Sequence, residues 1–442
     1  MVNVIVAKEK IDCQHLLGQF AEDSHYDVII DSDTNFYTKP DCFVSDMLEC
    51  NQDCASCPQA IDEARIGLVF RKNYFTKEEQ LGAYRGLNRA ADVPSNNRGL
   101  AAGPKVEKVG NRDWVTAKEW DIINLFKKGA QPLPGFDPIE EIFEKYKDGD
   151  KNSSRGCMWL YHATRNDNFK FSEWLERVRK LSVEERKKEA EFVEKKYISI
   201  STYASPVNSG VAGSQPPYPR YPYARLAAFN RNNPEEFEQA FPYLQKLSNA
   251  FKEFLPKRWN NQNEACKKVA PEFVVPGTVF STITVNKNFR TGYHLDDGDL
   301  EAGFSNLSVL TDGESDFEGG YLVFPEYRAC VNIRPGDLLL IANHNIIHGN
   351  TPIIGNRCSV VAYFREDLIG TGSYEYNQVK FQYVEERKKD PILSEGRNLF
   401  NGVTPGMFTE QAWYDYLESK LGKDVVLQYH PEAYPQTGAT LF

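Results

Sequence analysis

The second half of the chain alternates between short apolar runs and polar turns. From residue 278 onward, Gly, Asp, Pro and Asn separate runs rich in β-branched and aromatic residues, namely TVFSTITVN, FSNLSVL, GYLVFP, RACVNI, DLLLIA and CSVVAYF. Such runs, divided by turn-forming residues, are typical of β-strands. Six of them within about 90 residues predict an antiparallel β-domain, either a sandwich or a jelly-roll barrel.

Other segments repeat apolar residues at the interval of a helix. Thr76 and Glu79 form a capping-box signature at the start of TKEEQLGAYRGLNRAA, which predicts a helix there, after a strand in IGLVFRKNYF. The charged stretch 168–196 predicts a pair of solvated helices, and 409–423 predicts another helix. Residues 203–224 are rich in Tyr, Pro, Gly and Ser and predict a long loop, either a linker or a functional flap.

These patterns divide the chain into four predicted parts. They are an N-terminal extension with a cysteine-rich loop over 1–105, a mainly helical region over 106–257 that includes the 203–224 loop, a β core over 258–370, and a C-terminal helical segment over 371–442 that packs on the core. A length of 442 residues suits two or three domains, or one large domain with elaborations.

Composition and charge restrict the classes of function. Lys and Arg number 52 against 62 Asp and Glu, so the formal net charge is −10. This charge argues against a protein that coats nucleic acid over its whole surface, but a local basic cleft is compatible with it. No apolar run is long enough for a membrane span, and the N-terminal apolar stretch is too short for a secretory signal. We therefore expect an intracellular protein of the cytoplasm or nucleus.

Four of the nine cysteines lie within 16 residues of one another, at Cys42, Cys50, Cys54 and Cys57. Four thiolates suit a tetrahedral structural Zn site, which is the interpretation that we favour. An iron–sulfur cluster, or four unrelated cysteines in a loop, are the alternatives.

The chemistry concentrates in the predicted β core. His294 and Asp296 are two residues apart, so that in a strand their side chains lie on one face. His348 follows about fifty residues later, and Arg357 and Ser359 share the same two-residue spacing. Two imidazoles and one carboxylate on a rigid scaffold suit Fe(II) and leave coordination positions open. A guanidinium beside a hydroxyl can bind a carboxylate in a bidentate manner. Exposed polar residues in a β-turn are the alternative for His294 and Asp296.

Residues 278–365 carry this pattern, which resembles the Fe(II)/2-oxoglutarate dioxygenases and, among them, the TET/JBP-type nucleobase dioxygenases. The resemblance implies a double-stranded β-helix (jelly-roll) core flanked by helices, in an α+β fold, with Fe(II) and 2-oxoglutarate as cofactors. It implies that the iron ligands are His294, Asp296 and His348. His348 is preferred over His344 because it precedes an N-T-P segment. The resemblance also implies that Arg357, with Ser359, binds the distal carboxylate of 2-oxoglutarate.

The activity implied by the resemblance is hydroxylation of the 5-methyl group of 5-methylcytosine or thymine in DNA, with consumption of O2. A base inside a duplex must be flipped out, or be single-stranded, to reach such a site. One alternative is a hydroxylase of prolyl or other protein side chains, because one iron pocket serves many substrates. A non-catalytic β-domain that binds modified DNA is another. The sequence leaves the target base and the oligomeric state open.

Further residues are candidates for contacts with substrate or cosubstrate. The resemblance places a polar residue that faces the target base at Asp299, and a turn-capping aspartate is the alternative. Asn306 lies on a strand expected to line the pocket, where it contacts cosubstrate or bonds within the strand. Basic residues among aromatic ones suit phosphate contact and base stacking, although an ordinary polar surface has the same composition. The predicted DNA-contacting residues are Lys287, Arg290, Arg220 and Arg225.

Overall fold

The computed structural model describes most of the chain. The described residues are 2–7, 9–38, 63–95, 98–104, 112–114, 117–130, 137–145, 147, 159–161, 170–199, 207–218, 220–296, 298–390, 403–404 and 406–434. The predicted metal ligands Cys42, Cys50, Cys54 and Cys57 lie outside these residues.

The described residues form both strands and helices. The strands are β1 Asn3–Val6, β2 Val28–Ile30, β3 Thr34–Tyr37, β4 Ile66–Arg71, β5 Arg112–Trp114, β6 Trp159–Tyr161, β7 Ile198–Ser199, β8 Ser209–Gln215, β9 Arg225–Leu226, β10 Thr282–Lys287, β11 Ser305–Leu310, β12 Phe317–Gly319, β13 Leu322–Phe324, β14 Ala329–Val331, β15 Leu338–Ile341, β16 Gly349–Asn350, β17 Ile353–Gly355 and β18 Cys358–Tyr363. The helices are α1 Lys77–Leu87, α2 Ala117–Lys127, α3 Pro138–Lys145, α4 Phe171–Val178, α5 Val183–Tyr197, α6 Ala228–Asn232, α7 Pro234–Glu238, α8 Phe241–Phe254, α9 Pro256–Cys266, α10 Tyr374–Lys389, α11 Gln411–Leu421 and α12 Lys423–Tyr429.

Contacts within the chain divide it into two units. The β unit comprises Met1–Lys105, Ala204–Pro217 and Ala224–Tyr374, and the helical unit comprises Val106–Tyr203, Tyr218–Tyr223 and Glu375–Phe442. No helix in the described ranges combines the length and the apolar character needed to cross a bilayer.

Three sheets build the β unit. The largest has the order β1-β3-β4-β15-β11-β18-β10-β8-β9, a four-stranded sheet has the order β16-β13-β14-β2, and β12 pairs with β17. Each of the six predicted runs contains a strand, so the prediction of a β-domain is confirmed. The central pairs β15-β11, β11-β18 and β18-β10 are antiparallel, which is consistent with the predicted double-stranded β-helix.

The first 71 residues contribute strands to both large sheets. β4 pairs with β15 and extends the nine-stranded sheet through β3 and β1, while β2 pairs in parallel with β14. The segment predicted as an N-terminal extension therefore belongs to the same compact unit as the β core. These pairings join strands distant in sequence, and hydrophobic periodicity carries no information about such partners.

A strand lies inside the segment 203–224, where a loop was predicted. β8, with the sequence SGVAGSQ, pairs antiparallel with β10. The prediction was wrong here because small residues replace the apolar alternation that marks a strand. Gly210 is required by close packing, since a Cβ at this position would lie 1.6 Å from the carbonyl oxygen of Ala90.

The core of the β unit lies between the nine-stranded sheet and the helices α1 and α8. The hydroxyl of Tyr243 on α8 lies 2.5 Å from Ser308 Oγ on β11, so the even-numbered face of β11 looks toward the helices. The odd-numbered face, with Leu307, looks into the cavity described below. β11 thus lies between the helical side of the core and the cavity.

The helical unit contains two separate apolar clusters. One joins α2, α3, α4 and α5 around Phe126 and Trp174, and the other joins α10, α11 and α12 around Trp413. The predicted helix pair over 168–196 is confirmed as α4 and α5, and Ser182 and Glu185 exchange hydrogen bonds at the start of α5. The predicted helix over 409–423 is confirmed as α11.

Candidate metal centre and its cavity

Backbone pairing brings the two candidate histidines together. His294 follows β10 and His348 immediately precedes β16. Their backbones form an antiparallel bridge, in which each N–H donates to the other residue's carbonyl at 3.0 and 3.1 Å. The two ring centroids are consequently 4.3 Å apart. The bridge is what turns a separation of about fifty residues into direct contact.

Asp296 completes a compact triad with these imidazoles. His294 Nε2 lies 3.3 Å from Asp296 Oδ1, and His348 Nε2 lies 3.8 Å from Asp296 Oδ2. One potential ligand atom from each residue falls within 4.8 Å of the others. His344, the alternative second imidazole, is not part of this group.

Hydrogen bonds set the orientation of both imidazoles. His294 Nδ1 lies 2.9 Å from the carbonyl oxygen of Gly292, and His348 Nδ1 lies 2.9 Å from that of Ile346. A carbonyl oxygen can only accept, so both Nδ1 atoms carry hydrogen. Each Nε2 is thereby directed toward Asp296 as the atom available to a cation.

The electrostatics of the triad favour a cation. Burial opposes ionisation of Asp296, but the hydrogen bond with His294 and the charge of the two imidazoles hold the pKa of this carboxyl below its usual range. Burial, together with the nearby His294, lowers the pKa of His348 to about 4. Burial also acts to lower the pKa of His294, yet Asp296 raises it above its ordinary value. A divalent cation between these groups would replace the proton that Asp296 otherwise attracts.

A cavity of about 500 Å³ extends from the triad to Arg357. Arg357 is buried and donates from Nη1 to Ser359 Oγ at 3.0 Å, while its Nε has no hydrogen-bond partner among the described residues. Burial lowers the pKa of Arg357 to about 10, so the guanidinium is charged at neutral pH. A buried cation with an unpaired donor suits a ligand that carries a carboxylate.

Local packing leaves room for the Arg357 side chain. Gly320 has a φ of +68°, and a Cβ there would lie 3.2 Å from Arg357 Cδ. At the start of β18 the backbone N–H of Arg357 donates to Asn288 Oδ1 at 2.6 Å. From this anchor the two-residue period of β18 places Ser359, Val361 and Tyr363 along the same cavity.

The two residues predicted near the triad lie on different faces. Asp299 is buried, lines the cavity and accepts a hydrogen bond from Ser305 Oγ at 2.9 Å. Asn306 is outside the cavity lining, because its neighbour Leu307 occupies the inward face of β11. The Asn306 amide donates instead to the carbonyl of Phe304 at 2.9 Å.

Lys287 and Arg290 make contacts within the β unit and are not among the cavity-lining residues. Lys287 Nζ forms an ion pair with Asp92 at 2.5 Å. Arg290 donates from Nη2 to the carbonyl of Ala21 at 2.7 Å, and its guanidinium lies 4.3 Å from the ring centroid of Phe20.

Arg220 and Arg225 fall in different units. Arg225 belongs to the β unit and donates to the carbonyl of Pro216 at 3.0 Å. Arg220 belongs to the helical unit, where its guanidinium lies 5.6 Å from the ring centroid of Tyr221. The contacts with DNA predicted for these basic residues stay predictions.

Two arginines that line the cavity were not predicted from the sequence. Arg98 directly precedes Gly99, and its Nε has no hydrogen-bond partner in the described part of the chain. No local pattern distinguishes such a residue. Arg365 lies just beyond β18 and donates to the hydroxyl of Tyr363 at 3.4 Å. The two-residue period from Arg357 and Ser359 could have identified Tyr363 and Arg365.

The triad and most of the arginines that line the cavity lie in one segment of the chain. Residues 215–366, which contain all of these site residues except Arg98, match the Tet_JBP family model, the oxygenase domain of the 2OGFeDO superfamily. The resemblance predicted from the sequence is therefore confirmed for this segment of the chain.

Curated relatives are similar over the same part of the chain. Thymine dioxygenase JBP1 of Trypanosoma brucei brucei is 34% identical over 194 residues, which are 42% of this chain and 22% of that protein. Bifunctional helicase and thymine dioxygenase JBP2 of Leishmania tarentolae is 34% identical over 152 residues, which are 33% of this chain and 13% of that protein. The similarity thus spans about a fifth or less of these relatives.

Among solved structures, NgTET1 in complex with 5mC DNA aligns with 86% of this chain and 90% of that chain. The TM-score of this alignment is 0.39, and the sequence identity is 12%.

Proposed function

We propose that the chain is an Fe(II)- and 2-oxoglutarate-dependent dioxygenase that hydroxylates the 5-methyl group of a pyrimidine base in DNA. The observation that carries this proposal is the His294–Asp296–His348 triad in one cavity with the buried Arg357, inside the segment that matches the family. The JBP1 and JBP2 relatives are thymine dioxygenases, which supports a pyrimidine methyl group as the target.

The triad would hold the metal. The residues fit Fe(II) because two Nε2 atoms and one carboxylate converge, and each imidazole has its Nδ1 proton bound to a backbone carbonyl. Bound iron, with 2-oxoglutarate and O2, supplies the chemistry that converts a methyl C–H bond to C–OH while 2-oxoglutarate is decarboxylated to succinate.

Arg357 and Ser359 would bind the distal carboxylate of 2-oxoglutarate. A carboxylate there would pair with the unpaired Arg357 Nε and compensate the buried charge. The protein's contribution is orientation, because the rigid β18 holds this carboxylate at a set distance from the triad.

A flipped-out or single-stranded base would enter the same cavity. The volume of the cavity, about 500 Å³, lies within the usual range for small-ligand sites, roughly 300–1,000 Å³. Asp299 offers a carboxylate that can accept a hydrogen bond from the N–H groups of cytosine or thymine. The flipping itself costs a few kcal/mol.

Zinc is a separate proposal that rests on the sequence alone. Cys42, Cys50, Cys54 and Cys57 would bind one Zn ion as four thiolates.

The test is an assay of nucleosides. Purified protein is incubated with Fe(II), 2-oxoglutarate, ascorbate and DNA, with 5-methylcytosine present in one arm and absent in the other, and the digested DNA is analysed by mass spectrometry. We expect 5-hydroxymethylcytosine in the first arm or 5-hydroxymethyluracil in both. Absence of both products, together with 2-oxoglutarate turnover on peptide substrates, would replace the proposal by a protein hydroxylase.

A further inference from the structure

A chain of hydrogen bonds connects His348 to a buried carboxylate outside the cavity. His348 Nδ1 donates to the carbonyl oxygen of Ile346 at 2.9 Å. The N–H of the same peptide group, which belongs to Ile347, donates to Glu326 Oε2 at 2.9 Å. The Glu326 side chain is only 5% exposed, and its other oxygen lies 3.3 Å from Lys10 Nζ. The peptide between Ile346 and Ile347 is therefore bound on both sides.

A similar chain of hydrogen bonds starts at His294, but it ends on a different kind of group. Its Nδ1 donates to the carbonyl of Gly292 at 2.9 Å. The N–H of that peptide group, from Tyr293, donates to the carbonyl oxygen of Gln19 at 2.7 Å. The connection from His294 thus ends on a neutral carbonyl, whereas the connection from His348 ends on a carboxylate.

This difference has a chemical consequence for the metal. A carboxylate accepts a stronger hydrogen bond than a neutral carbonyl does, and it polarises the peptide that donates to it. The polarised carbonyl of Ile346 becomes a better acceptor for His348 Nδ1–H. Such support of the remote nitrogen makes Nε2 a stronger donor to a metal and fixes the plane of the ring.

We propose that Glu326 is a positioning residue of the metal centre and acts on His348 through the Ile346–Ile347 peptide. Lys10 completes the arrangement from the N-terminal segment, because its ammonium group lies beside Glu326 and also donates to the carbonyl of Asn345 at 3.5 Å. The inference rests on the proposed function only in taking the triad as a metal site.

Asp337 provides a matched control within the same unit. Its buried carboxylate accepts hydrogen bonds from the backbone N–H groups of Asn73 at 2.9 Å and Arg334 at 2.8 Å, and Lys72 Nζ lies 3.0 Å from it. Asp337 thus resembles Glu326, because both are buried carboxylates that accept from the backbone and lie beside a lysine. Neither of the amides that donate to Asp337, however, belongs to a peptide group that binds a histidine of the triad. Replacement of Asp337 therefore measures the cost of losing such a carboxylate without the connection to the metal.

The experiment compares the full-length protein with E326Q, E326A and D337N. Co(II) serves as the metal probe, since its visible absorption reports ligand strength directly, and thermal unfolding without metal is followed in parallel. E326Q keeps the size of the side chain and one accepting oxygen, so it tests the charge in a protein that keeps its packing. We expect the dissociation constant for Co(II) to rise about tenfold or more in E326A and less in E326Q. The absorption bands should move to longer wavelength in both variants.

D337N is expected to lower the unfolding midpoint while leaving the Co(II) dissociation constant and spectrum unchanged. Co(II) affinity and spectra equal to those of the unaltered protein in E326Q and E326A would overturn the proposal and leave Glu326 as a structural carboxylate. Equal weakening in D337N would overturn it as well. Co(II) binding without any oxidation of DNA would instead contradict the proposed function and leave this inference testable.

Discussion

Arg357 is a charged side chain whose neighbour in the fold is a hydroxyl group. Among the described residues no carboxylate forms an ion pair with it, although the side chain is buried. An unpaired buried charge costs several kcal/mol. The presence of such a charge in the folded protein therefore indicates a site for an anion. Ser359 alone does not compensate the charge.

Replacement of Arg357 by Met should therefore affect cosubstrate binding more than folding. We expect KM for 2-oxoglutarate to rise roughly 30-fold or more, which corresponds to the loss of about 2 kcal/mol or more from a buried charged hydrogen bond. S359A should raise KM about tenfold or less, because a neutral hydrogen bond contributes about 1 kcal/mol. Succinate release measured against 2-oxoglutarate concentration gives both values. An unchanged KM in R357M would contradict the assigned role.

The triad is open to a direct test of metal binding. D296A should abolish Fe(II)-dependent succinate release and Co(II) binding, because it removes the carboxylate that lies beside both imidazoles. H344A is the matched control, since His344 lies four residues before His348 and outside the triad. Titration of both variants with Co(II) measures the difference. Loss of Co(II) binding in H344A alone would show that the wrong histidine has been assigned.

Among the secondary-structure elements, the site depends on how closely neighbouring strands and helices pack. β18 carries its cavity residues at every second position, and α1 packs on α7 and α8. Two glycines of α1 differ in how much space surrounds them, so substitutions there separate the effect of close packing from that of helix propensity. A Cβ at Gly86 would lie 2.7 Å from the backbone nitrogen of Ala240, whereas the closest atom to one at Gly82 would be 3.8 Å away.

Alanine at these two positions should have opposite effects. G82A should stabilise the fold by about 0.5–1 kcal/mol through improved helix propensity. G86A gains the same propensity but must push Ala240 away, and overpacking of this kind costs about 1–3 kcal/mol. Urea unfolding of the two variants measures the difference directly. If both G82A and G86A were more stable than the unaltered protein, α1 would be free to shift away from Ala240.

At the scale of the molecule, the N-terminal segment is part of the β unit rather than an appendage. β2, β3 and β4 pair with strands of the β core or with one another, while β1 is an edge strand whose residues Val4 and Val6 are exposed. The segment also supplies Lys10, which lies beside Glu326. The β unit therefore needs residues from both ends of its sequence.

Shortening of the chain from its N-terminus should show a threshold. A chain that begins at residue 8 loses only β1 and should keep most of its stability and its Co(II) affinity. A chain that begins at residue 63 also loses β2 and β3, which leaves the edges of β4 and β14 unpaired and prone to aggregation. Circular dichroism melting and soluble yield measure both effects. A stable, soluble chain from residue 63 would show that the N-terminal strands are dispensable.

Features that depend on local spacing were predictable from the amino-acid sequence. The apolar runs located the six core strands, because period and turn chemistry are properties of adjacent residues. The two-residue period put Arg357 beside Ser359 at the start of β18, whereas His294 and Asp296 lie between β10 and β11 and not in a strand as predicted. The motifs in these runs carried the resemblance to the dioxygenase family, which was confirmed for residues 215–366.

Which distant segments meet is visible only in the folded chain. It brought the 1–71 strands into the sheets, placed Arg98 at the cavity, turned Asn306 away from it and connected Glu326 to His348. The physical reason is that strand partners and the inward face of a strand are set by packing against segments far away in the sequence. Periodicity shows that a strand has two faces, and the folded chain decides which face looks into the site.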